Sequence, residues 1–118
     1  MVFVGSNAEL KLKFQRLHTT VVESVNVTRI IDFLFQEGVL GAQDIRTLQR
    51  QRDTEQQCRD LLMLLHTSGN PQAFVHLYRA IKKETHLQWL VKQIDDYTDQ
   101  SLIDLLKQLY INDKTGKF

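Results

Sequence analysis

Four histidines, one cysteine and two adjacent aspartates are the residues of this chain best suited to chemistry. A helical metal site needs imidazoles one turn apart on one face. His18, His66, His76 and His86 lie ten or more positions apart, with no HxxxH or HExxH spacing. They read as surface or half-buried histidines, and neither a metal nor a cofactor is expected. Cys58 falls in phase with Leu61, Leu62 and Leu65, which marks a small core residue rather than a nucleophile. Asp95 and Asp96 are neighbours, so a helix turns them to different faces and they cannot act as an acid/base couple. Gly38 and Gly41 flank Val-Leu and fit a helix stop, not a phosphate loop. No catalytic residue is expected. The pattern is that of a protein that works by being bound, not of an enzyme.

The elements that would carry such binding are helices. Leu10, Phe14, Leu17, Val21 and Val25 step by three or four, predicting a helix over 8–24. Asn26-Val27-Thr28 is a short break that can cap the next helix. That helix carries Ile30, Ile31, Phe33, Leu34 and Phe35. It is apolar around most of its circumference and should be buried and central, ending at Gly38. A weak helix follows from about Gln43, with Ile45 and Leu48 inward. Thr54 reads as the cap of a fourth helix, closed by Gly69. Asn70-Pro71 should cap and open a fifth, with Phe74, Leu77, Tyr78 and Ile81 on its stripe. Thr85 through Gln88 reads as a capping box for a sixth, striped by Leu87, Leu90, Val91 and Ile94.

Beyond it, Asp99 or Ser101 can cap a further segment with Leu102, Leu105, Leu106 and Leu109 at helical spacing. That segment is expected to be helical and to lay its stripe on protein, either this domain or a second copy. The expected organisation is a helical domain over 8–97, an amphipathic helix over 98–111 and a frayed tail over 112–118. The core should draw on Phe14, Leu17, Val21, Ile31, Leu34, Leu61, Leu62, Leu65, Phe74, Leu77, Ile81, Leu90 and Ile94.

Composition narrows the class. At 118 residues the chain can bury a single core. One proline and five glycines leave little room for all-β turn chemistry. A net charge of +1 gives no general pull toward nucleic acid or an anionic membrane. The N-terminus lacks a basic region and a long apolar run, and no segment reaches the ~20 apolar residues of a membrane span. With a lone cysteine, the expected location is cytoplasmic. The charges are more informative. Asp32, Glu37 and Asp44 cluster around one helix corner and can share a surface. Lys11, Lys13 and Arg16 lie on the first helix, and Arg79, Lys82 and Lys83 close the fifth. Arg29, three residues before Asp32, is a local partner for it. Trp89 belongs at the rim of the core.

Three stretches carry a family resemblance. They are Ile31-Asp32-Phe33-Leu34 through Glu37-Gly38-Val39-Leu40, then Leu61-Leu62-Met63-Leu64-Leu65, then Gly69-Asn70-Pro71-Gln72-Ala73-Phe74. Together they resemble the caspase recruitment domain (CARD) of the death-fold superfamily, over roughly 10–97. The nearest look is to the CARDs of apoptotic caspase adaptors such as the apoptosome adaptor. The resemblance implies an all-α, six-helix antiparallel Greek-key bundle, often with a broken first helix. Here an extra C-terminal helix would extend it.

The resemblance also implies function by homotypic pairing. An acidic face on the second and third helices of one domain meets a basic face on the first and fourth of another. The acidic positions of an adaptor fall on Asp32, Glu37 and Asp44, all acidic here, while Arg46 replaces a further acid. The basic positions of an initiator caspase fall on His18, Glu55 and Arg59. Only Arg59 is kept, with Lys13 and Arg16 as substitutes. The better-preserved acidic face implies an adaptor-type CARD assembling an apoptotic or inflammatory caspase-activating complex. Its partner would be another CARD-containing protein, an initiator caspase or an adaptor, with self-association also open. The alternative is a helical nucleic-acid-binding domain using Arg46, Arg50 and Arg52. Against it, Asp44, Asp53 and Glu55 flank those arginines and would repel a phosphate backbone.

Overall fold

A computed structural model of the chain describes residues 6–115, with side chains through Leu109. Eight α-helices and no strand occur among the described residues. They are α1 (Asn7–Arg16), α2 (His18–Ser24), α3 (Val27–Gln36), α4 (Ala42–Gln49), α5 (Thr54–His66), α6 (Ala73–Lys82), α7 (Gln88–Asp96) and α8 (Gln100–Thr115), with a 3₁₀ turn at Thr85–Leu87 before α7. The 8–24 segment expected as one helix is two. The chain leaves helical geometry at Leu17 (φ −99°, ψ 18°) and re-enters at His18. The β-branched run Thr19-Thr20-Val21-Val22 has little helix propensity of its own, so the break costs little.

The α3 helix packs against α4, α5 and α6, α1 against α6, and α2 against α5. Each of the thirteen core residues expected from periodicity is buried, joined by Leu10, Val22, Val27, Ile30, Leu48, Cys58 and Leu87. Phe14 of α1 and Phe74 of α6 meet at 5.8 Å between ring centroids and tie the two helices together. Burying such rings removes on the order of 150–250 Å² each from water, the dominant favourable term in a domain of this size.

Several helix ends differ from expectation, each because another side chain reaches the free N–H groups better. Asp53, not Thr54, caps α5, its Oδ1 accepting from Glu55 N (2.9 Å) and Gln56 N (3.4 Å). The α5 helix stops at His66, before Gly69, where Thr67 Oγ1 turns back onto Leu64 O at 3.1 Å. Asn70 accepts from Gln72 N at 2.8 Å, so 71–72 form a turn and α6 starts at Ala73. Asn7 Oδ1, distant in sequence, takes the N–H of Phe74 at 2.8 Å. No capping box forms at Thr85, where Gln88 Nε2 instead donates to Lys82 O (3.0 Å) and Glu84 O (3.1 Å). Gly38 does stop α3 in the left-handed region, at φ 79°.

The C-terminal segment is helical through Thr115, and residues 116–118 of the tail expected from Asn112 on lie outside the described residues. Its leucine stripe is only partly placed on the domain. Leu102 is 2% exposed, Leu105 is half-buried, and Ile103, Leu106 and Leu109 face outward. The helix contacts α1 and then runs clear of the bundle, giving an elongated 51 × 28 × 24 Å outline.

Candidate functional site

The three acids expected to form one face sit in three environments. Asp32 is exposed on α3 and has no ion-pair partner among the described residues. Arg29, expected to neutralise it locally, instead reaches the buried Glu84, with Nη1 3.3 Å from Oε2. Glu37, at the end of α3, faces His76 with Oε1 3.9 Å from Nδ1. Asp44 is half-buried and turned back on its own helix, where Oδ2 accepts from Gly41 N at 2.9 Å and closes the start of α4. Asp32 therefore presents a free charge, whereas Asp44 is engaged in holding the corner.

Asp32 stands at the rim of a hollow of about 250 Å³ between α3 and α4, with Phe35, Ala42, Ile45 and Arg46. Periodicity placed Phe35 in a buried helix, yet it is 51% exposed and forms one wall. Ile45, expected inward, is half-buried and forms another part of the lining. The rim thus carries one acid and one base around an apolar centre.

The expected basic face is largely consumed. Lys13 is 6% exposed, pairs with Glu9 at 3.3 Å and donates to Asp95 O at 3.3 Å, the C-terminal end of α7. It holds helices together and is no part of an exposed surface. Arg16 donates from Nε to Asp99 Oδ2 (3.2 Å) and from Nη2 to Ser101 Oγ (3.1 Å), so α8 occupies it. Arg59 remains at the surface, 3.6 Å from Glu55. One turn along from it Met63 is 59% exposed, a feature missed because the α5 run reads as uniformly apolar. Trp89, expected at the core rim, is half exposed on α7 beside Lys92 and Tyr97. Arg46, Arg50 and Arg52 are exposed, with Arg46 hydrogen-bonded to Gln43 at 3.3 Å.

The titratable groups are arranged for structure. Burial pushes the Cys58 thiol up to about 11, only partly offset by Arg59. Burial also raises Tyr78, whose Oη donates to Asp95 Oδ1 at 2.5 Å. His66, whose ring lies tilted against Phe74 with centroids 4.7 Å apart, is lowered by burial first and then by Lys11 and His18. Among the described residues no group of His, Cys, Asp and Glu is placed to hold a metal, and no helix is long and apolar enough to cross a membrane.

Comparison with curated proteins and with solved structures finds no significant match. The family model for the caspase recruitment domain matches residues 12–97, most of the chain. That span runs from α1 to the residue after α7 and contains the broken first helix, the α3–α4 corner and the α5–α6 turn. The domain is a homotypic protein-interaction module that binds other death-fold domains and carries no catalytic machinery of its own. On that match, and on an all-helical bundle of the corresponding build, this chain belongs to the caspase recruitment domain family.

Proposed function

We propose that this CARD is the acidic partner in a caspase-activating complex, recruiting the basic CARD of an initiator caspase or adaptor through its α3–α4 face. The observation that carries the reading is the hollow between Phe35 and Ile45 with the uncommitted Asp32 at its rim. Exposed ion pairs contribute only about 0.2–1 kcal/mol each, so charge alone gives a weak contact. An apolar anchor inside a polar rim is the arrangement that concentrates binding energy in protein interfaces. A half-exposed phenylalanine beside a cavity supplies that anchor, Asp32 selects a basic partner, and Arg46 sets the register against its acids. Avidity from a multivalent cytoplasmic platform, apoptotic or inflammatory, would raise the weak single contact to a useful strength. Binding runs from the α3–α4 side because Lys13 and Arg16 on α1 are already engaged.

Isothermal titration of this chain against a panel of initiator-caspase and adaptor CARDs tests the proposal. At least one basic CARD should bind, more weakly as salt rises. Phe35→Ala and Asp32→Lys should each abolish that binding with the melting midpoint little changed. Binding that survives both substitutions would remove the α3–α4 face from the account.

A further inference from the structure

The α8 helix lies beyond the span matched by the family model, which ends at residue 97, yet it packs on α1. Its attachment is short. Asp99, just ahead of α8, accepts from Arg16 Nε at 3.2 Å, and Ser101 Oγ accepts from Arg16 Nη2 at 3.1 Å. Leu102 is 2% exposed, and past it Leu105 is only half-buried. The hold is thus concentrated in the first turn, where an acid takes a guanidinium and a leucine three positions on is buried. The bundle has a core without it. The contiguous cluster of buried side chains runs from Leu10 to Ile94 and does not include Leu102.

That first turn has the chemistry of the acidic face. On α3, Asp32 is followed three positions on by the exposed Phe35; at α8, Asp99 is followed three positions on by Leu102. We infer that α8 is a detachable strap that blocks the α1 face, presenting to it within one chain the acid and apolar pair that an acidic partner would present. With the strap closed, the chain offers its α3–α4 face while Arg16 is taken. With the strap open, Arg16 and the seat of Leu102 are free for a partner helix that carries an acid and an apolar residue at that spacing. One exposed ion pair holds weakly, and one leucine is a small part of what folds a domain, so the strap can lift while the bundle stays closed. A partner must still outcompete a tethered segment, whose effective concentration is on the order of millimolar. The strap therefore sets a threshold for the α1 contact. The inference rests on the charged-face pairing proposed above but concerns a different face.

Two measurements on the full chain test it. The first needs no variant. Native-state hydrogen exchange in rising, sub-denaturing urea should show the first turns of α8 opening as a unit of their own while α3 and α5 stay protected. Amides of α8 that open only with the core would make the helix part of the fold and overturn the strap. The second loosens the strap with Asp99→Ala/Leu102→Ser and follows uptake of a labelled synthetic peptide of residues 98–111 by fluorescence anisotropy. The loosened chain should bind the peptide at least tenfold more tightly than the wild type, whose seat is filled. Arg16→Glu on that background should abolish uptake, as should Asp99→Lys in the peptide. Adaptor CARDs with acidic faces should likewise gain at least tenfold for the loosened chain. Equal uptake by the two chains, uptake that survives Arg16→Glu, or no gain for any adaptor CARD would overturn the inference. Phe35→Ala, which should abolish binding of a basic CARD, should leave peptide uptake unchanged, so the two faces succeed or fail separately.

Discussion

Arg16 donates from Nε to Asp99 Oδ2 at 3.2 Å across 83 positions of sequence, fastening α1 to the start of α8. The same carboxylate accepts from Tyr97 Oη at 2.6 Å and caps α8 by accepting from Leu102 N at 2.7 Å. One side chain therefore starts the C-terminal helix and locates it on the bundle, with Leu102 sealed beneath.

The clasp should respond to acid. The hydrogen bond from Tyr97, then that from Leu102 N–H, holds the Asp99 carboxyl below the ordinary 3.8. A depressed value means that its contribution is complete above the ordinary carboxylate range and is lost as pH falls through the lower folded value. Amide protection in the first turns of α8, taken relative to the intrinsic exchange rate at each pH, should therefore fall on acidification, and Asp99→Ala should lower it already at pH 7. Truncation after Thr98 should lower the melting midpoint. Unchanged protection and an unchanged midpoint would show that the clasp holds nothing.

Lys13 should prove structural rather than functional. It and Glu9 are both nearly inaccessible, so removing the lysine alone leaves a buried carboxylate without its partner. Lys13→Met should destabilise the fold by about 3–5 kcal/mol in denaturant titration. Glu9→Gln on that background should recover part of the loss. A basic interface residue would behave the opposite way, losing binding and keeping stability.

Asp32 and Asp44 should separate under one assay. Asp44→Ala removes the acceptor for Gly41 N and should cost about 0.3–1.5 kcal/mol, with the corner between α3 and α4 loosened. Asp32→Ala breaks no hydrogen bond or ion pair among the described residues and should leave the thermal midpoint within error. Equal losses at the two positions would mean that Asp32 is also part of the scaffold.

Cys58 should be inert while the domain is folded. With its thiol at about 11, roughly one molecule in a thousand carries a thiolate at pH 8. Burial blocks the reagent as well. Iodoacetamide should modify it quickly only in denaturant. Because the folded value lies above the ordinary 9.0, this group's contribution to stability is full below pH 9 and declines as pH rises beyond it. Rapid alkylation at pH 8 without denaturant would contradict the core position.

The amino-acid sequence by itself determined the helices and the core. A 3.6-residue apolar period is a local property, and Phe14, Leu62, Phe74 and Ile94 are buried where that period puts them. It also determined the family, since the Glu37-Gly38-Val39-Leu40 corner and the Asn70-Pro71 turn are packing signatures written in consecutive residues. Tertiary structure alone decided which charges are free. Periodicity sees one helix at a time, so it could not tell that Glu9 and the end of α7 engage Lys13, that Asp99 engages Arg16, or that Glu84 takes Arg29 from Asp32. Nor could it place Phe35 beside Ile45. A binding surface is made where side chains from separate helices meet, and which of them meet is fixed only when the bundle closes.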